Sequence, residues 1–201
     1  MKEILKEFKH DKVLLVYKCG SHAFGTCNEH SDHDYVVVLR DFKGLTNRFD
    51  DETQSDCFIF GLPYWRDKME YDEDLAEYYM AFNDEILSFP DSIVFIDDEI
   101  KPLVDQYIAE FPSQLKKWLK AVVAYFTRFI LLGDMDKRFY HLVRIKHIVE
   151  RYKKTGTLSL ELSPEVSEWI AEFKSAADKE QYKKDVHEAF TYLQKEAEVT
   201  A

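Results

Sequence analysis

The spacing of apolar residues changes character partway along the chain. In the first half they come in short runs. Val13-Leu-Leu-Val-Tyr-Lys is of strand length, and Asp34-Tyr-Val-Val-Val-Leu reads as a β-branched strand. Cys57-Phe-Ile-Phe follows a polar, acidic stretch from Asp50 to Asp56 and reads as another strand. Ahead of them, Lys2–Phe8 has an amphipathic helical pattern. Gly20-Ser21 interrupts the first strand run, and Ser21–Phe24 can form one helical turn that Gly25 ends.

From Asp72 onward the period lengthens. Leu75, Tyr78, Tyr79 and Phe82 recur at helical spacing, and Ile93-Val-Phe-Ile is a short apolar run that could close a first domain. Pro112-Ser113 then opens a helix with Leu115, Trp118, Leu119, Val122, Val123, Phe126, Phe129 and Ile130 on one face, ended by Gly133. A second helix is expected from Asp136 to Lys154, with Gly156 as its C-cap. Ser163-Pro164 has the N-cap and first-turn chemistry of a third, and Asp178 is placed to cap a last one reaching Glu196. No internal repeat or low-complexity linker appears. The pattern predicts an α+β protein, with a mixed sheet flanked by helices over residues 1–105 and a helical domain over 106–201.

Composition narrows this picture. With 201 residues, 46 % of them hydrophobic and 32 % charged, the chain can bury a core without staples and is not disordered. Three cysteines without paired short spacing give no disulfide framework, which favours a reducing, cytoplasmic setting. The longest apolar stretch, Ala121–Leu132, contains Arg128 and is too short to span a bilayer, so no membrane partner is expected. A net charge of −11 argues against coating nucleic acid through the overall field. That total conceals an asymmetry. Residues 113–156 carry 11 basic and 3 acidic side chains, whereas residues 1–112 carry 11 basic and 25 acidic. The basic centre is either a surface facing polyanions or a solvated helix face.

Candidate chemistry concentrates in Cys19-Gly-Ser-His-Ala-Phe-Gly-Thr-Cys-Asn-Glu-His-Ser-Asp-His-Asp. Gly20 lets the backbone approach a phosphate closely, and the Ser21 hydroxyl can bind its oxygens. Asp32 and Asp34 lie two apart at a strand start, so alternation puts both carboxylates on one face and His33 on the other. Two such carboxylates repel unless a cation lies between them, and oxygen ligands suit Mg²⁺, or alternatively Mn²⁺. Two ions could clamp an in-line phosphoryl displacement. By itself Asp-x-Asp is also common in surface turns. Cys19, His22, Cys27 and His30 have a zinc-like spacing, but zinc there would destroy the strand–turn geometry.

Gly20-Ser21 after one strand, with Asp32-x-Asp34 on the next, resembles the polymerase-beta-like nucleotidyltransferase superfamily. The longer Gly-Ser-His-Ala-Phe-Gly-Thr…Ser-Asp-His-Asp, with Tyr140-His141-x-x-Arg144 and Gly156-x-Leu-x-Leu further on, is similar to its RNA-repair-associated bacterial and phage subfamily. His22 stands where that subfamily usually has arginine. The resemblance implies a third carboxylate on a later strand. Asp56, leading into Cys57-Phe-Ile-Phe, is the candidate, with Asp50, Asp51 and Glu52 as competitors. It implies an enzyme that transfers NMP from an NTP such as ATP to an acceptor hydroxyl and releases pyrophosphate. Asp32, Asp34 and Asp56 would then be catalytic and metal-binding, and Gly20 and Ser21 would hold the nucleotide.

On the basic central helix, Arg144 can hold a phosphate bidentately and His141 can donate to it, with Lys137, Arg138, Lys146 and Arg151 as a positive wall. Tyr140 and His141 could equally be packing residues. The RNA-repair resemblance favours an RNA 3′ end as acceptor. A protein hydroxyl receiving AMP, as in minimal nucleotidyltransferase antitoxins, and a non-catalytic nucleotide-binding module are the alternatives.

Overall fold

The computed structural model describes residues 8, 11–29, 31–51, 53–70, 83–132 and 135–198. The helices expected over Lys2–Phe8 (Phe8 apart) and after Asp72, and the stop at Gly133, lie outside them. The chain divides into two compact units, the described parts of which fall within 1–70 and 83–110, and within 111–198.

The first unit is built on five strands: β1 (Val13–Cys19), β2 (His33–Leu39), β3 (Leu45–Asp50), β4 (Ser55–Gly61) and β5 (Ile93–Ile96). Their order in the sheet is β3-β4-β2-β1-β5. β2 and β4 run parallel, and the other neighbours are antiparallel. One face of the sheet buries Val16, Val37, Leu39, Cys57 and Ile59, with Phe8, Val13, Tyr35 and Phe42 packed against them. At about 1.5–3 kcal/mol for each fully buried aliphatic side chain, this layer fixes which way every strand faces. The opposite face carries Tyr17, Cys19, Val36 and Val38, all buried.

Two short helices also belong to this unit. A single turn, α1 (Gly20–Ala23), leaves the end of β1, and Gly25 follows it at φ +66°. The nine-residue α2 (Leu62–Glu70) buries Trp65, Lys68 and Met69. A 3₁₀ segment, Asn83–Ser88, lies against α1.

The helix expected to open at Pro112 begins earlier. α3 runs Lys101–Leu132 with Pro112 in its interior. Proline there removes one helical hydrogen bond and ordinarily stops a helix. The buried stripe of Val104, Tyr107, Phe111, Trp118, Leu119 and Val122 continues at helical spacing on both sides of it, so packing overrides the local signal. The division between the two units falls inside this helix, between Glu110 and Phe111.

In the second unit α4 (Tyr140–Thr155) packs on α5 (Pro164–Ser175) and α6 (Lys183–Glu198). Gly156 ends α4 at φ +74°, donating to Tyr152 O at 2.7 Å. Ser163 Oγ caps α5 by accepting from Val166 N–H, with Pro164 in the first turn. Asp178 Oδ1 accepts the Glu180 N–H of a 3₁₀ turn leading into α6. The fold is α+β, with a mixed five-stranded sheet followed by a helical region, as expected. Among the described residues no helix is long and apolar enough to cross a membrane.

Candidate active site

Two strand pairings assemble the site. Cys19, the last residue of β1, stands opposite Asp34, and Asp34 is in register with Asp56 on the parallel strand β4. Residues in register share a face, so both carboxylates project from the side that carries Tyr17 and Cys19. Asp32 precedes β2 by one residue and is exposed. Asp34 and Asp56 are both partly buried.

Gly20 completes this corner. Its φ of +60° is a conformation that glycine adopts without strain. A Cβ at that position would lie 2.8 Å from Asp34 Cγ and closer still to Oδ2. The chain therefore passes directly against the carboxylate before Ser21 enters the helical turn. Asp56 Oδ1 is buried and, among the described residues, has no hydrogen-bond partner. An ionised oxygen without a partner is costly to bury, so an external donor or cation fits there.

Beneath the carboxylates lies a network that sequence reasoning missed. Tyr17, two residues before Cys19 on the same face, donates its hydroxyl to Glu85 Oε1 at 2.9 Å and accepts from Trp65 Nε1 at 3.3 Å. Glu85 also forms an ion pair with Lys68, and both side chains are at most 5 % exposed. Lys68 and Glu85 lie seventeen positions apart and read individually as surface charges. Burial pushes the Cys19 thiol well up; Glu85, Asp34 and Asp56 add to the rise and Lys68 opposes it. Cys19 is thus held as a neutral thiol. Burial, then Glu85, likewise keeps the Tyr17 phenol protonated.

Among the described residues no three His, Cys, Asp or Glu side chains converge as a ready metal cage, and His30 lies outside those residues. His22 and His33 instead stack face to face, with centroids 4.4 Å apart. The chemistry that does fit a metal is the oxygen pair of Asp34 and Asp56, with its partnerless Oδ1 and with Asp32 close by in sequence. Hard divalent cations such as Mg²⁺ take such oxygens and fill their remaining positions with water and substrate phosphate.

His141 and Arg144 lie in the second unit. Arg144 has no exposed surface and donates Nε to His141 Nδ1 at 3.2 Å. Burial, then Arg144 and Lys174, lowers the His141 pKa well below the ordinary histidine value. The ring is neutral, carries its proton on Nε2 and stacks on Tyr140. His147 accepts the Ser163 N–H at 3.2 Å. Of the cations read as a positive wall, Arg138 pairs with Asp136, Lys146 with Glu150 and Arg151 with Glu161. Among the aromatics of the first half, Trp65 and Phe60 are buried and Phe58 is half-buried, while Tyr78 and Tyr79 lie outside the described residues.

A family model described as a nucleotidyltransferase domain matches residues 1–125, which includes the whole sheet, the Gly20 turn and all three aspartates. No curated protein matches the chain.

Proposed function

The chain belongs to the nucleotidyltransferase domain family, and from that membership we propose that it transfers a nucleoside monophosphate from an NTP to the 3′ hydroxyl of an RNA. The observation that carries this reading is the in-register pair Asp34 and Asp56, with Gly20 against one carboxylate and a partnerless buried oxygen on the other.

In this reading the backbone at Gly20 and the Ser21 hydroxyl bind the outgoing phosphates. Asp56 Oδ1 orients the acceptor hydroxyl and takes its proton as the acceptor oxygen bonds to the α-phosphorus. The bond from that phosphorus to the β-phosphate oxygen breaks, and pyrophosphate leaves. Asp34 and Asp56, with Asp32, would hold a divalent cation such as Mg²⁺, which when bound offsets the negative charge shared by the carboxylates and phosphates. Asp34 is held in place from two sides, by the β1 and β4 ladders. Catalysis of this kind is positioning and electrostatic stabilisation, which a rigid sheet end supplies. His141 and Arg144 engage each other inside the second unit, so the reading assigns nucleotide contact to the first unit alone.

The test is incubation of the protein with Mg²⁺, labelled NTPs and either RNA or a protein lysate. Label is expected at RNA 3′ ends, and Asp34→Asn with Asp56→Asn should abolish it while circular dichroism stays that of the parent. Label on protein alone, or equal labelling by the double variant, would refute the reading.

A further inference from the structure

The catalytic face of the sheet continues past Asp56 onto its edge. Phe49 on β3 is in register with Asp56, and Asn47 and Leu45 are in register with Phe58 and Phe60. Alternation therefore puts Leu45, Asn47 and Phe49 on the same face as the two carboxylates. All three are exposed, Phe49 at 49 % and Leu45 at 42 %, although β3 is only one strand from the site. An aromatic side chain left half in water, beside a carboxylate that can accept a proton, forms no part of the core on the other face.

We propose that Phe49 and Asn47 form the acceptor subsite, stacking and hydrogen-bonding the terminal base of an RNA whose 3′ hydroxyl is held at Asp56. The inference rests on the RNA-directed transfer proposed above and adds where the acceptor sits. Neighbouring strands are about 4.8 Å apart, so the Phe49 backbone lies one such step from that of Asp56. A base and the hydroxyl of its own sugar are separated by a comparable distance. A nucleotide stacked on Phe49 can therefore present its hydroxyl at Asp56 without stretching. Its 3′ oxygen bonds to the α-phosphorus, its proton goes to Asp56, and the α–β bridging P–O bond breaks to free pyrophosphate.

The chemistry of the row selects a base over other planar groups. The Phe49 ring rewards any flat surface, but the Asn47 amide offers a donor and an acceptor together, which matches a base edge. A tyrosine ring presented by a protein could stack yet would leave the amide without an edge to bond. The three side chains of the row carry no charge, so a base can be laid on them without desolvating an ion. Stacking without a full set of edge contacts also makes the subsite tolerant of base identity.

Phe49→Ala should raise the KM for an RNA acceptor about 5- to 150-fold, the range expected for loss of one stacked base. The KM for NTP should stay within about twofold, and Phe49→Tyr should restore the acceptor KM. A readout independent of turnover is Phe49→Trp in EDTA without NTP. A short oligoribonucleotide should quench its added fluorescence, read as the difference from the parent, whose Trp65 and Trp118 are buried and whose partly exposed Trp169 belongs to the second unit. RNA labelling by Phe49→Ala with the parent's acceptor KM, or no quenching of Phe49→Trp at saturating RNA, overturns the subsite and leaves the proposed function standing. Labelling of protein and never of RNA by the parent overturns both.

Discussion

The backbone of Gly20 occupies the space beside Asp34 that any side chain would need. The Gly20 turn and the Asp34 carboxylate are therefore one packed unit. Gly20→Ala would introduce strain of about 1–2 kcal/mol at φ +60° and would also push the carboxylate aside. A misplacement of about 1 Å can cost on the order of a hundredfold in rate. The expected outcome is a folded protein whose pyrophosphate release falls by about that factor. A variant turning over like the parent would show that the close approach is incidental.

Asp56→Asn separates the charge from the shape of the site. In EDTA the substitution removes a like charge standing opposite Asp34, worth about 0.2–1 kcal/mol, so the melting temperature should rise slightly. Adding Mg²⁺ should then give no further stabilisation, whereas the parent gains. An undiminished Mg²⁺ increment in Asp56→Asn would place the cation elsewhere.

The Lys68–Glu85 pair is expected to matter most when broken on one side. Lys68→Met strands a buried carboxylate, at a cost of about 3–5 kcal/mol. Lys68→Met combined with Glu85→Leu should recover most of that loss, although Tyr17 would no longer have its acceptor. Urea unfolding of the three proteins measures this directly. Equal stability of Lys68→Met and the parent would mean that the pair carries nothing.

His141 makes stability fall in mild acid. Its folded pKa lies well below the unfolded value of about 6.5, so between the two the unfolded chain binds the extra proton. Stability is fully present above pH ~6.5 and declines below it by about 1.4 kcal/mol per pH unit. His141→Gln, which keeps an acceptor for Arg144, should flatten that slope in chemical unfolding across pH 7 to 5. A slope identical to the parent's would assign the acid sensitivity to carboxylates.

Much of this architecture is legible in the sequence because its signals are local. The Val-rich run after Asp34 and the Cys57 run are buried strands, and Gly156 and Ser163-Pro164 mark helix ends through backbone conformation and capping. β3 is not legible: as an edge strand with Thr46, Asn47 and Arg48 in its middle, it has polar residues on both faces and shows no hydrophobic period. The early start of α3 is hidden by Pro112, whose local preference is overruled by burial. Asp32, Asp34 and Gly20 carry a spacing that can be read. The register of Asp34 with Asp56 is a property of the ladder, and the Lys68–Glu85–Tyr17 network joins three distant segments that only the folded sheet brings together.

The parallel pairing of β2 with β4 also bears on how such a chain can diverge. Both carboxylates are the second residue of their strands, so the hydrogen-bond ladder sets their separation and the intervening segment does not. The hairpin ends between them can lengthen or shorten without altering the distance across the site. A single-residue insertion within either strand would instead rotate one carboxylate to the core face. Mutational tolerance should therefore be high at the exposed Asp41 and Lys43 and abruptly low from His33 and from Ser55, a boundary that follows the ladder.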